Sequence, residues 1–142
     1  MTTNYHFYIA GEPVTSDRFI EVENPYDHSI VGRVSECESQ HTEKAIQSAL
    51  QAGTRLTRYE RFEILDKTRR DLEAKKEEFA KLITSEAGLC MRETLYEVGR
   101  ACDVLQFSAM EALKDDGQVF SCDVSPQGKA RKIFTLRQPL NA

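Results

Sequence analysis

The stretch Thr94–Leu113, TLYEVGRACDVLQFSAMEAL, sets Leu95, Val98, Cys102, Leu105, Ala109 and Ala112 at alternating spacings of three and four. That is the period of one helix face, and it predicts a helix from about Arg92 to Lys114. Two residues in its middle do not fit. Glycine inside a helix costs about 1 kcal/mol relative to alanine, so Gly99 implies a close neighbour. Arg100 falls off the apolar stripe, on a face shared with Tyr96, Val104 and Phe107, which predicts a helix buried on two sides. Taken from the residues alone, Arg100 has a simple use. An ion pair with Glu97 or Asp103, each three residues away, contributes roughly 0.2–0.5 kcal/mol.

Upstream, RYERFEILDKTRRDLEAKKEEFAKLITSEAG (58–88) repeats Phe62, Leu65, Leu72, Phe79 and Leu82 along a charged rod that ends at Gly88, and reads as one long helix. SQHTEKAIQSALQAG (39–53) puts Ala45, Ile46, Ala49 and Leu50 on one side, with Gly53 as C-cap. Before it, Tyr5 to Cys37 has strand and turn chemistry. HFYIAGEPV, RFIEVENP and IVGRVSE read as three strands of an antiparallel meander, with turn formers in NPYDHS. After the helices, Phe120, Cys122 and Val124 alternate with polar residues. A turn at SPQGK then leads into ARKIFTLRQPLNA, giving a hairpin arm. The expected fold is α/β: a short antiparallel β meander, three helices and a C-terminal β-hairpin arm. No repeat or linker divides it.

Composition narrows the function. The chain has 142 residues, 40% hydrophobic and 30% charged, enough for one soluble domain with a modest core. A net charge of -4 argues against nucleic acid as partner. The basic cluster Lys129, Arg131, Lys132 and Arg137 reads as a solvated strand edge. No signal-peptide pattern opens the chain, and no apolar run approaches a membrane span of about 20 residues. The expected location is the cytoplasm, away from membranes. Cys37, Cys90, Cys102 and Cys122 are scattered without a CxxC pair, as reduced packing thiols.

Catalytic parts are missing. The glycines at 11, 32, 53, 88, 99, 117 and 128 stand singly, so neither a GxGxxG nor a GxxxxGK[ST] phosphate cradle exists. His6, His28 and His41 are isolated surface or loop residues in the N-terminal third. No GxSxG or HExxH occurs.

The order of elements nevertheless resembles the N-terminal part of the aldehyde dehydrogenase superfamily. The resemblance runs from YIAGEPV through FIEVENPYDHSIVGRV, with its Asn24-Pro25 loop. It continues along the arginine-bearing helix to Glu86-Ala87-Gly88, then through EVGRACDVLQFSA to LRQPLNA with Pro139-Leu140-Asn141. It implies residues 1–114 as the N-terminal part of an NAD(P)-binding domain and residues 115–142 as an oligomerisation arm leading into the rest of the enzyme. It also implies a homo-oligomer, an aldehyde substrate and NAD or NADP as cofactor. The family oxidises the aldehyde by thiolate attack, hydride transfer and thioester hydrolysis. The parts that do so lie beyond the matched region, so the 142-residue chain alone is expected to be inactive. GQVFSC (117–122) imitates the family's Gly-Gln-x-Cys, but its cysteine comes two positions late, and Cys122 is not taken as the nucleophile. No catalytic, cofactor-binding or metal residue is assigned.

One site residue follows from the resemblance. In subfamilies that oxidise phosphorylated, phosphonylated or carboxylated aldehydes, an arginine in this EVxRA helix meets the anion. Glu97-Val98-Gly99-Arg100-Ala101 matches that pattern, with a phosphonoacetaldehyde-oxidising subfamily as the nearest resemblance. Arg100 is thus a candidate substrate-binding residue. Glu86 resembles, more weakly, an acidic residue that helps hold a structural cation in some relatives; a solvated helix-end carboxylate is the simpler reading. The rival function is a non-catalytic oligomerisation or interaction module working through the arm.

Overall fold

A computed structural model describes residues 3–52, 56–114 and 117–137. Seven short strands and four helices follow in order. They are β1 (Asn4–Tyr5), β2 (Phe7–Ile9), β3 (Glu12–Val14), β4 (Phe19–Glu23), β5 (Ile30–Ser35), α1 (Ser39–Gln51), α2 (Arg58–Ala74), α3 (Lys76–Ala87), α4 (Met91–Ala112), β6 (Val119–Ser121) and β7 (Lys132–Phe134). The α/β class and the closing hairpin agree with the sequence reading. Gly53 and the Pro139-Leu140-Asn141 segment lie outside the described residues.

The antiparallel meander is corrected in one respect. β4 and β5 do pair antiparallel, Ile20 opposite Val34, but HFYIAGEPV folds on itself as a separate hairpin, β2 with β3. Ala10 and Gly11 make its turn at φ 53 and 83. Only β1, just ahead of that hairpin, joins the sheet, and it does so parallel to β5, giving the order β1-β5-β4. The Tyr5 ring covers buried Gly32, whose missing Cβ would sit 2.7 Å from Tyr5 Cε2. A side chain on Gly32 would evict it.

The second expected helix is two helices. Lys75 leaves helical geometry at φ -107, ψ 19, and its N–H turns back to Leu72 O at 3.1 Å. No glycine or proline marks the break. Its effect is to reset the inward face. Phe62, Leu65 and Leu72 face inward on α2 as expected, but beyond the break Ala80 is fully buried while Phe79 is 39% exposed. α2 and α3 both pack along α4, and the seam is lined by small side chains: Ala80, Thr94, Val98, Cys102 and Ala109. Thr94 is fully buried, yet its hydroxyl is satisfied by Thr84 Oγ1 at 3.0 Å and Met91 O at 3.1 Å.

The helix starts are locally encoded. Thr57 Oγ1 accepts from the Glu60 N–H at 3.2 Å, and the Thr57 N–H donates to the Glu60 carboxylate at 2.7 Å. The Thr57 hydroxyl and N–H hold the Glu60 carboxyl below its ordinary range. At α1, His41 Nδ1 accepts from the Glu38 N–H at 3.0 Å, and the His41 ring meets Phe7 edge-on at 5.0 Å. His41 therefore has a structural task, tying α1 to the β2–β3 hairpin.

Gly88 closes α3 in the left-handed region at φ 70, its N–H bonded to Thr84 O at 3.0 Å. A Cβ there would lie 2.8 Å from Pro25 Cγ, in the loop between β4 and β5. Gly88→Ala combines backbone strain with that clash and is expected to destabilise by roughly 2 kcal/mol. The measurement is a urea midpoint that falls at constant slope. Adding Pro25→Ala should restore part of the loss, and an unchanged midpoint in the single variant would overturn the assignment.

Candidate functional site

Cys90, extended at φ -71 and ψ 151, precedes α4, and the helix runs unbroken for 22 residues through Gly99 and Arg100. Its inner face carries the predicted stripe: Val98, Cys102 and Ala109 are buried, and Leu95, Leu105 and Ala112 are half-buried. The second face is not buried in this chain. Tyr96, Val104, Phe107 and Met110 stand exposed along it, Phe107 at 69%. Arg100 lies in this row, also exposed.

Neither candidate ion pair forms. Among the described residues, no carboxylate lies within 4.0 Å of the Arg100 guanidinium, and it makes no hydrogen bond. Its neighbours form a shallow cleft of about 270 Å³ between α4 and the start of α3, lined by Tyr96, Gly99, Arg100 and Asp103 from α4 and by Glu73 and Lys76 across from them. The neighbour implied at Gly99 is Lys76. Its Nζ lies 3.5 Å from the place a Gly99 Cβ would occupy, an ordinary contact, so a methyl would fit there. Glu73 is already engaged by Arg69 at 2.8 Å. An unpaired guanidinium at the edge of a partly apolar cleft is chemically a receptor for an anion, above all a planar or tetrahedral oxyanion that its fork can grip.

Lys76 was not visible as a site residue in the sequence. It is the first residue after the helix break at Lys75, and nothing local announces that break. Glu86 is exposed in the last turn of α3, and no three His, Cys, Asp or Glu side chains gather at metal-binding spacing among the described residues. Cys122 is half-buried in the arm beyond β6, and all four cysteines are free thiols. No described helix is long and apolar enough to cross a membrane.

The sequence profile of the aldehyde dehydrogenase family matches residues 12–142. The chain belongs to that family. Among curated relatives of this aldehyde dehydrogenase segment is the 3-sulfolactaldehyde dehydrogenase of Priestia aryabhattai, 34% identical over 137 residues. The match takes in 96% of this chain and 29% of the relative. Among solved structures, aldehyde dehydrogenase 21 from Physcomitrella patens, in complex with its reaction product succinate, superposes with a TM-score of 0.87 at 26% identity, over 93% of this chain and 28% of that one. Lactaldehyde dehydrogenase from Escherichia coli superposes with a TM-score of 0.79 at 25% identity, over 88% and 27%. The chain thus spans less than a third of the length of the relatives it matches.

The described residues offer no glycine-rich phosphate cradle for the family's nicotinamide cofactor. The N-termini of α1 and α2 are closed by their own caps, and no clustered glycines let a pyrophosphate approach the backbone.

Proposed function

We propose that this segment serves in a cytoplasmic, NAD- or NADP-dependent aldehyde dehydrogenase that oxidises a small anionic aldehyde to its acid, with Arg100 binding the anionic tail. In this reading residues 1–114 belong to the cofactor-binding domain, and the cofactor and the reacting aldehyde carbon are held by parts of the enzyme outside residues 1–142. The arm, residues 115–142, joins copies of the enzyme into a homo-oligomer.

The observation that carries the substrate class is Arg100: exposed, unpaired and set in a cleft on the exposed face of α4. The relatives support it and also set the contest. Sulfolactaldehyde bears a sulfonate and succinate a carboxylate, whereas lactaldehyde is neutral. The test is kcat/KM of the full-length enzyme for anionic and neutral aldehydes of one length, with Arg100 present and replaced. A preference for the anion that depends on Arg100 is expected, and equal values for both substrates would sink the reading.

The arm itself supports association. Val119, Ile133, Phe134 and Leu136 are each more than half exposed. A two-stranded ribbon is marginal in water, and its unpaired edges and apolar face suit a second copy of the chain. At its base the Gln118 N–H donates to Thr135 Oγ1 at 2.9 Å and the Thr135 N–H to Gln118 O at 3.0 Å.

A further inference from the structure

We propose that Lys76 is a second cation of the Arg100 cleft and tunes it for tails that carry two negative charges. The proposal rests on the reading of Arg100 as the anion-binding residue, and extends it to a residue on a different helix. Lys76 is the first residue of α3, one turn before buried Ala80, so its side chain leaves on the inner face, toward α4. There it meets Gly99, with Nζ 3.5 Å and Cε 4.0 Å from the position of a Cβ. The absent side chain leaves the ammonium open to the cleft, directly beside Arg100 in the chain.

The charges around it decide the sign of the cleft. Lys76 is half-buried, and no carboxylate of the described residues lies within 4.0 Å of its Nζ. Glu77 and Glu78 share an adjoining cleft with Lys76 without pairing to it. Glu73 is held by Arg69 at 2.8 Å. Of the acids lining the Arg100 cleft itself, Asp103 is the uncommitted one, facing the uncommitted Arg100 and Lys76, while Glu77 and Glu78 line only the adjoining cleft. A singly charged carboxylate is satisfied by the fork of Arg100. A doubly charged phosphonate or phosphate has oxygens and charge left over, and the lysine ammonium, a compact cation with three donors, suits them.

The experiment uses the full-length enzyme and three aldehydes of similar reach: phosphonoacetaldehyde, malonate semialdehyde and propanal, at alkaline pH where the phosphonate is doubly charged. Lys76→Met is expected to lower kcat/KM for the phosphonate about tenfold, and for the monoanion about threefold or less. Propanal should be unaffected, and Lys76→Arg should recover most of the loss. If Lys76→Met changes nothing, or lowers all three equally, while Arg100→Met still weakens both anions selectively, the Lys76 proposal is overturned and the Arg100 reading stands. If neither variant discriminates among the substrates, both readings fall.

Discussion

Arg100→Met is expected to lower kcat/KM for an anionic aldehyde roughly ten- to a hundredfold while leaving a neutral aldehyde of the same length nearly unchanged. The magnitude follows from a charge-assisted hydrogen bond worth about 1.5–3 kcal/mol, read through the ratio of kcat/KM values. Methionine preserves the length and apolar stem of arginine without its charge, so the helix face is kept. The loss should appear mainly in KM, because the tail is held equally before and during reaction. Arg100→Lys should recover only part, since a point charge replaces a planar fork. Stability should hardly move, because Arg100 has no ion pair or hydrogen bond to lose among the described residues. Steady-state kinetics on one anionic and one neutral aldehyde decides the matter, and equal losses on both would make Arg100 a structural residue.

Gly128→Ala should disable the arm. The arm's turn brings Gly128 so close to Cys122 that an added Cβ would lie 1.8 Å from the Cys122 carbonyl oxygen and 3.2 Å from Ser125 Oγ. That is a Cβ against a backbone carbonyl, and no rotamer relieves it. The turn also depends on the Gly128 N–H bonded to Ser125 O at 3.0 Å and the Arg131 N–H bonded to Gly128 O at 2.9 Å. β6 and β7 pair over three residues each, too few to survive a displaced turn. If the arm joins copies, Gly128→Ala in the full-length enzyme should weaken self-association at least about tenfold, each decade being about 1.4 kcal/mol. Light scattering across a dilution series would show it, and an unchanged mass at every concentration would remove the arm from the interface.

What was legible in the sequence was whatever repeats over several turns or is capped by its own neighbours. The inner stripe of α4 from Leu95 to Ala109 was read correctly because 3.6-residue periodicity is a property of the segment itself. The hairpin of β6 and β7 was read as a hairpin from its alternation and turn formers, but its first strand ends at Ser121, and Cys122 and Val124 lie in the turn. The break at Lys75 was not legible, since LEAKKEE (72–78) contains only good helix formers. The pairing of β1 with β5 is likewise a contact between distant residues that alternation within each strand cannot reveal. At the site, the sequence singled out Arg100 by its mismatch with the stripe. It suggested a partner in Glu97 or Asp103, which the described structure does not supply. It missed Lys76, because a lysine among lysines carries no mark until the packing of α3 on α4 sets it beside Gly99.

The parallel seat of β1 bears on the order in which this chain can acquire its shape. Asn4 and Tyr5 lie beside Arg33 and Val34, and the Arg33 N–H also bonds to Thr3 O at 3.0 Å. On the ribosome Asn4 and Tyr5 emerge before the strand they rest on, and that strand must itself be steadied by β4. β4 and β5 close as a local hairpin, while β1 must span the whole intervening loop for two residues of pairing. β1 is therefore made before β4 and β5 and fastened after they have paired. A change at Asn4 or Tyr5 would interfere with the finishing of the sheet and leave the pairing of β4 with β5 intact.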